Sequence, residues 1–195
     1  MDILQKIKSC IEPIISIDDN DWSFLSQYIY AKEIAKNQLL LQENKICDFI
    51  AFINKGTLIY YKNQDNGDEV TTDFAFENDW VTNNHSRINK TPSHLNIKAI
   101  EDSQLLIINQ DKLDELYLKI PAIEHFGRIL IEQAYVKLVQ LSIDLQTLSA
   151  TDRYFKLLEE RPDILQRVPL YHIANYLGIA PKSLSRIRNS IFRRN

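Results

Sequence analysis

Between Ile3 and Leu25 the apolar side chains Ile3, Leu4, Ile7 and Ile11, and then Trp22 and Leu25, recur at helical spacing, interrupted by Pro13 and the turn Asp18-Asp19-Asn20-Asp21. This predicts two short helices. From Tyr28 to Ile108 the period changes. Short β-branched or aromatic runs follow one another at 28–30, 39–41, 49–53, 58–61, 70–76, 97–100 and 105–108. Lys55-Gly56 and Asp65-Asn66-Gly67-Asp68 punctuate them. Asn-Gly between two strand-like runs predicts a hairpin with a type I′ turn, which needs positive φ twice. The expectation is an antiparallel barrel or sandwich of about seven or eight strands.

Helical spacing returns at Asp111–Lys119, a short helix for which Asp111 is the expected cap and Pro121 the stop. A long helix is predicted from about Ala122 to Leu148. On it Ile131, Ala134, Leu138, Leu141, Leu145 and Leu148 alternate three and four apart, with Gly127 one step earlier. Such a narrow stripe suits pairing with a second copy better than burial in the same globule, so a parallel homodimer through these six residues is expected.

The last 45 residues predict three more helices. One contains Tyr154, Phe155, Leu157 and Leu158, capped by Ser149 or Thr151 and ended near Arg161-Pro162. The second covers Tyr171–Leu177 and stops at Gly178, and the third runs from Pro181 to Ile191. Proline is favoured in a first helical turn because its missing N–H is not needed there. Ala174 is small where two helices would cross, Gly178 supplies a turn, and Ile173, Leu177, Ile179, Leu184 and Ile187 form an inward face. Together these satisfy a helix-turn-helix. Lys182, Ser183, Ser185, Arg186 and Arg188 are left for the polar side of the last helix, available to base edges and phosphates.

Charge sharpens this picture. The 195 residues carry a net charge of −3. Residues 1–149 hold 14 basic and 22 acidic side chains, a balance of −8, whereas 150–195 hold 9 and 4, a balance of +5. No acidic residue follows Asp163, while Arg167, Lys182, Arg186, Arg188, Arg193 and Arg194 accumulate. A basic end on an acidic body points to a polyanion partner at that end, with Arg193 and Arg194 as further backbone anchors.

Other classes fit less well. Cys10 and Cys47 are the only thiols, too few for an iron–sulfur (Fe-S) cluster and not in metal-binding spacing. His85 and His94 lie nine positions apart, and His125 falls on the long helix, so no metal site of the two-histidine oxygenase kind is expected. The four glycines form no phosphate-cradling loop or nucleophile elbow, and no enzyme activity is expected. There is no apolar run of membrane-spanning length and no leader-like N-terminus, which predicts a cytoplasmic protein with no membrane partner.

The chain resembles the Crp/Fnr superfamily of bacterial regulators. The resemblance rests on Arg153-Tyr154, Pro162, Val168-Pro169, the run from Ile173 to Ile179 and Leu184-Ser185-Arg186-Ile187. Phe52–Gly56 and Gly67–Thr71 add hairpins of its β-roll. It implies an α+β architecture: a cyclic-nucleotide-binding-like jelly roll over 1–120, a dimerisation helix over 121–148 and a winged helix-turn-helix over 149–195. Arg186 matches the family's base-reading arginine, and Lys182 stands where many members have glutamate. The partners it implies are double-stranded DNA at a palindromic promoter site, a second copy of the chain and RNA polymerase.

Cyclic-nucleotide binders of this family carry a Gly-Glu pair for the ribose and an arginine for the cyclic phosphate. Here Trp80-Val81-Thr82-Asn83 and Pro92-Ser93-His94-Leu95 stand in those places. A buried phosphate without its guanidinium costs several kcal/mol. Cyclic AMP (cAMP) is therefore not the expected effector, although Arg87 or Lys90 could supply charge from nearby. A different effector, or none, is the expectation. The competing reading is a sensor or interaction protein whose helix-turn-helix has lost DNA affinity.

Overall fold

The computed structural model describes residues 3–192. Two helices open the chain, α1 (Ile3–Ile11) and α2 (Asp19–Ser26), the latter capped by the Asp18 carboxylate accepting from the Asp21 N–H at 2.8 Å. Eight strands follow among the described residues: β1 (Tyr30–Ile34), β2 (Leu39–Leu41), β3 (Phe49–Lys55), β4 (Leu58–Asn63), β5 (Glu69–Ala75), β6 (Trp80–Val81), β7 (Asn96–Ala99) and β8 (Ser103–Asn109). A short helix, α3 (Asn84–Asn89), lies between β6 and β7. The strands form two four-stranded sheets, β1-β8-β3-β6 and β2-β7-β4-β5.

β3 and β8 show why the sequence reads as continuous apolar runs rather than alternation. Their odd-numbered residues, Ala51, Ile53, Leu105 and Ile107, enter the core between the sheets. Phe52, Leu106 and Ile108 point the other way, into a second core with Ile7, Ile11, Leu25, Leu113, Leu116 and Phe126. A strand covered on both faces needs apolar side chains at every position. Those helical residues come from α1, α2, α4 (Gln110–Lys119) and the start of α5 (Pro121–Thr147).

The remaining helices are α6 (Ala150–Glu160), α7 (Ile164–Arg167), α8 (Leu170–Tyr176) and α9 (Pro181–Phe192). Contacts gather the chain into two compact units. The first runs through Tyr60 and resumes over Phe74–Gln133, and the second combines Tyr61–Asp73 with Ala134 onward.

Several local expectations change. The first strand starts at Tyr30 rather than at Tyr28. The hairpin at Asn66-Gly67 is not a type I′ turn: Gly67 has φ +86° but Asn66 is not in the positive-φ region. Its Gly67 N–H bonds the Gln64 carbonyl and the Gln64 N–H bonds that of Asp68, both at 2.9 Å, giving the three-residue loop class. The N-cap of α4 is Asn109, two residues before Asp111, which instead places its negative charge in the first turn where the helix dipole favours it. Of the two candidates for α6, Ser149 is the cap, its oxygen accepting from the Asp152 N–H at 3.2 Å. α3, β6 and α7 had no counterpart in the sequence reading. Among the described residues no strand lies between Ala150 and Phe192, so the implied wing is not present there and α7 occupies the connection.

Gly56 sets the tightest approach in the strand region: with φ +110°, a Cβ built there would lie 2.0 Å from the Ser103 Oγ and 2.7 Å from the Ser103 Cα. Backbone strain and the steric clash act together, so Gly56→Ala is expected to destabilise the protein by more than about 2 kcal/mol, read as a lowered urea midpoint at unchanged slope.

Candidate nucleic-acid interface

The turn between α8 and α9 is built by backbone chemistry that explains its sequence. Leu177 caps α8 and Gly178 follows at φ +68°. The Gly178 N–H donates to the Asn175 carbonyl at 2.9 Å and the Ile179 N–H to the Ala174 carbonyl at 3.0 Å. This pair of bonds is the Schellman motif, which satisfies helix-end carbonyls and requires a left-handed residue, cheapest as glycine. α9 then begins with Pro181.

Packing fixes which face of α9 turns out. Ile173 and Ala174 of α8 are fully buried, Leu177 is 2% exposed and Leu184 of α9 is 1% exposed. Ile179 and Ile187 are half-buried. With Leu184 held inward, Lys182, Ser185 and Arg186 are exposed and Ser183 is half-buried. The Ser185 hydroxyl donates to the Pro181 carbonyl at 3.1 Å. Arg188 differs from its neighbours: it is half-buried, and its Nε is buried without a hydrogen-bond partner. Arg193 and Arg194 lie outside the described residues.

Arg153 ties this turn to the helix before it. Its guanidinium donates to the Leu148 carbonyl at 2.7 Å and to the Leu177 carbonyl at 2.9 Å. A cation at two helix ends meets two sets of unpaired carbonyls and the negative ends of two dipoles. Beside it the Asp144 carboxylate, 8% exposed, bonds Lys156 and accepts from the Gln140 amide at 2.7 Å. The Lys156 hydrogen bond, with Gln140 second, holds Asp144 below the usual carboxylate range and raises Lys156. Burial, reinforced by the charge of Asp73, pushes the Tyr176 phenol well above its ordinary value.

The β4–β5 hairpin tip belongs to this same unit. The buried His172 Nδ1 and Thr71 Oγ1 are 2.6 Å apart, the Asn175 amide donates to the Glu69 carbonyl at 2.8 Å, and Lys137 pairs with Asp73 at 3.1 Å. The inner face of α8 thus rests on the hairpin, a contact the sequence did not signal.

On α5, Tyr135, Val136 and Leu138 are 66%, 65% and 64% exposed, and Ile131, Val139, Ile143 and Leu145 are exposed as well. Ala134 is exposed, whereas Leu141 and Leu148 are half-buried. Leu141 and Leu145 line a cavity of about 180 Å³ with Asp144, Arg153, Lys156 and Tyr176.

In the β-roll, one side chain from each of the stretches Trp80–Asn83 and Pro92–Leu95 is spent on the other. Asn83 and Ser93 are 5% and 1% exposed, and the Asn83 amide donates to the Ser93 Oγ at 2.8 Å. Ser93 Oγ in turn donates to the Leu95 carbonyl at 2.6 Å. Although nine apart in sequence, His85 and His94 come together, ring centroids 5.2 Å apart. Among the described residues no cluster of three or more histidine, cysteine or acidic side chains could hold a metal ion. Cys10 is half-buried and Cys47 buried, both free. No helix among the described residues is long and apolar enough to cross a membrane.

A double sheet with a short helix before β7 is followed by a long helix and a helix-turn-helix. Residues 31–119 match the cyclic nucleotide-binding domain family, and the chain as a whole has the fold of Crp/Fnr transcriptional regulators. A Crp/Fnr-family transcriptional regulator from Eubacterium rectale superposes with a TM-score of 0.70 at 18% identity, over 91% of this chain and 85% of that one. FixK2 from Bradyrhizobium japonicum gives 0.73 at 15% identity, over 85% of each. CLP of Xanthomonas campestris, a c-di-GMP-responsive global regulator, gives 0.67 at 12% identity, over 91% and 93%. A search of curated proteins by sequence finds no match.

The Asp144–Lys156 pair makes stability depend on pH within the second unit. Because the folded Asp144 pKa is lowered, its contribution is present above the unfolded value, about 3.9, and is lost as pH falls through the folded one. Because that of Lys156 is raised, its contribution is present below about 10.4 and is lost as pH rises through the folded value. Asp144→Asn is expected to flatten the acid limb of a stability–pH profile measured by urea unfolding and, because Asp144 is what raises Lys156, to remove the Lys156 contribution from the alkaline limb as well.

Proposed function

We propose that this chain is a dimeric, sequence-specific DNA-binding transcription regulator whose α9 enters the major groove. The carrying observation is the face of α9: Leu184 is held in the core while Lys182, Ser185 and Arg186 are exposed, on a segment with no acidic residue after Asp163. Arg186 forks onto a guanine, Ser183 and Ser185 add base or phosphate contacts, and Lys182, Arg188, Arg193 and Arg194 hold the backbone. Contact by Arg188 requires its half-buried side chain to swing outward.

Two copies pair through α5, using Ile131, Ala134, Leu138, Leu141, Leu145 and Leu148. The exposure of Tyr135 and Val139 broadens that seam toward their side of the helix. Pairing sets two recognition helices about 34 Å apart, on successive major grooves of a palindromic promoter site, and RNA polymerase is the partner through which binding acts on transcription. The protein works in the cytoplasm and is not an enzyme. The Asn83–Ser93 bond supports a regulator that does not respond to cyclic AMP, since neither side chain offers a charge to a cyclic phosphate. The c-di-GMP response of the Xanthomonas regulator is consistent with a fold that serves other effectors.

Binding-site selection on the purified protein, compared with Arg186→Ala, tests this reading. The wild type is expected to select a palindrome, with affinity falling by about 0.9 log units per log of salt for each phosphate neutralised. Arg186→Ala is expected to lose about 1–3 kcal/mol and to blur one base position per half-site. An unchanged selected motif overturns the assignment of Arg186, and salt-independent or absent binding overturns the function.

A further inference from the structure

We infer that a second pocket, in the β-roll unit and apart from the Asn83–Ser93 pair, binds an apolar α-amino acid through the buried guanidinium of Arg87. Arg87 on α3 is 5% exposed, so its charge is almost wholly removed from water. Its partners are neutral: Nη1 donates to the Gln110 Oε1 at 2.6 Å and Nη2 to the Asn84 Oδ1 at 2.9 Å. Its Nε is buried with no partner, and among the described residues no carboxylate forms an ion pair with it. A buried cation held only by amides is left uncompensated, a condition that an anion in the adjoining space relieves.

That space exists. A cavity of about 480 Å³ opens beside Arg87 between α3, α4 and α5, within the range of small-molecule sites. Lys90, at the left-handed C-cap of α3, adds a second cation to its wall. The Tyr117 ring lies against Gly127 so closely that a Cβ there would fall 2.3 Å from the phenol oxygen. Only glycine lets that phenol line the cavity, and burial raises its pKa, keeping it a proton donor.

The rest of the wall selects the ligand class. Asp114 and Glu124 also line the cavity, while Arg128 and Glu132 neutralise each other at 2.5 Å. A dianionic phosphate ester would meet both acids as like charges. A zwitterion places its carboxylate on Arg87 and Lys90 and its ammonium toward Glu124 or Asp114. Ile88 and Ile131 form the apolar part of the wall, 59% and 42% exposed, which suits an aliphatic or aromatic side chain. Ile131 also starts the exposed apolar row of α5, so the pocket borders the face assigned to the second copy.

Calorimetric titration of the full chain without DNA tests the site, and keeps its outcome separate from that of DNA binding. The probes are L-leucine and L-phenylalanine, with adenosine 5′-monophosphate as the phosphate comparison. Saturable binding of at least one amino acid is expected. It should weaken about tenfold or more in Lys90→Gln, an exposed position where folding is not at stake, and vanish in Arg87→Met. No saturable amino-acid binding at millimolar concentration overturns the proposal, as does binding unaffected by Lys90→Gln. Tighter binding of the nucleotide than of either amino acid overturns the ligand class.

Discussion

The Arg153 guanidinium, donating to the carbonyls of Leu148 and Leu177, joins the end of α5 to the end of α8. Charge-assisted bonds to two helix termini contribute about 1.5–3 kcal/mol each in protected settings. Their geometric effect matters as much. Leu177 is the residue on which the Schellman turn at Gly178 begins, so the direction in which α9 leaves α8 is set within hydrogen-bond distance of the last turn of the long helix. Leu184, buried on α9 as Ile173 and Leu177 are on α8, completes the constraint. The outward display of Lys182 and Arg186 is therefore a consequence of apolar packing and of one turn, and needs no special property of the basic residues themselves.

The two faces of the β-roll illustrate how a fold outlives a ligand site. β3 and β8 are buried on both sides, and that double burial fixes the sheets whatever occupies the roll. The loop from Trp80 to Leu95 is held by different means. Asn83, Ser86 and Ser93 form a short polar network in which Ser86 accepts from the Cys47 N–H and donates to the Thr91 carbonyl. Buried polar groups that satisfy one another stabilise a loop without a ligand. The stretch Pro92-Ser93-His94-Leu95 carries no arginine, and the buried guanidinium of Arg87 lies on α3, lining another cavity.

How much the sequence revealed depended on whether a residue type answers to one stereochemical demand. Gly178, Pro181 and Ala174 each have a single economical use in a helix-turn-helix, and that unit was legible to within one or two residues. Strand runs were legible because β-branched and aromatic clusters have no equally good helical reading. The short elements were not: two residues in β6, six in α3 and four in α7 are too few to show a period. Asn109 and Asp111 are both good caps, and only the path of the chain out of β8 decides between them. On α5 apolar residues occur almost all round, so a 3-4 stripe can be drawn in more than one register. Leu141 turns partly inward while Tyr135 stays out, which spacing alone does not encode. Arg87 was least legible of all, since its burial depends on an amide supplied by Gln110 from another element as well as on Asn84 of its own helix.

In the proposed dimer, two copies present their α9 helices to one duplex. Hydroxyl-radical footprinting of the wild-type chain on its selected site tests it most directly. Two protected segments on one face of the DNA, centred about one helical turn apart, are the predicted result. A single protected segment, or protection spread evenly along the duplex, contradicts it.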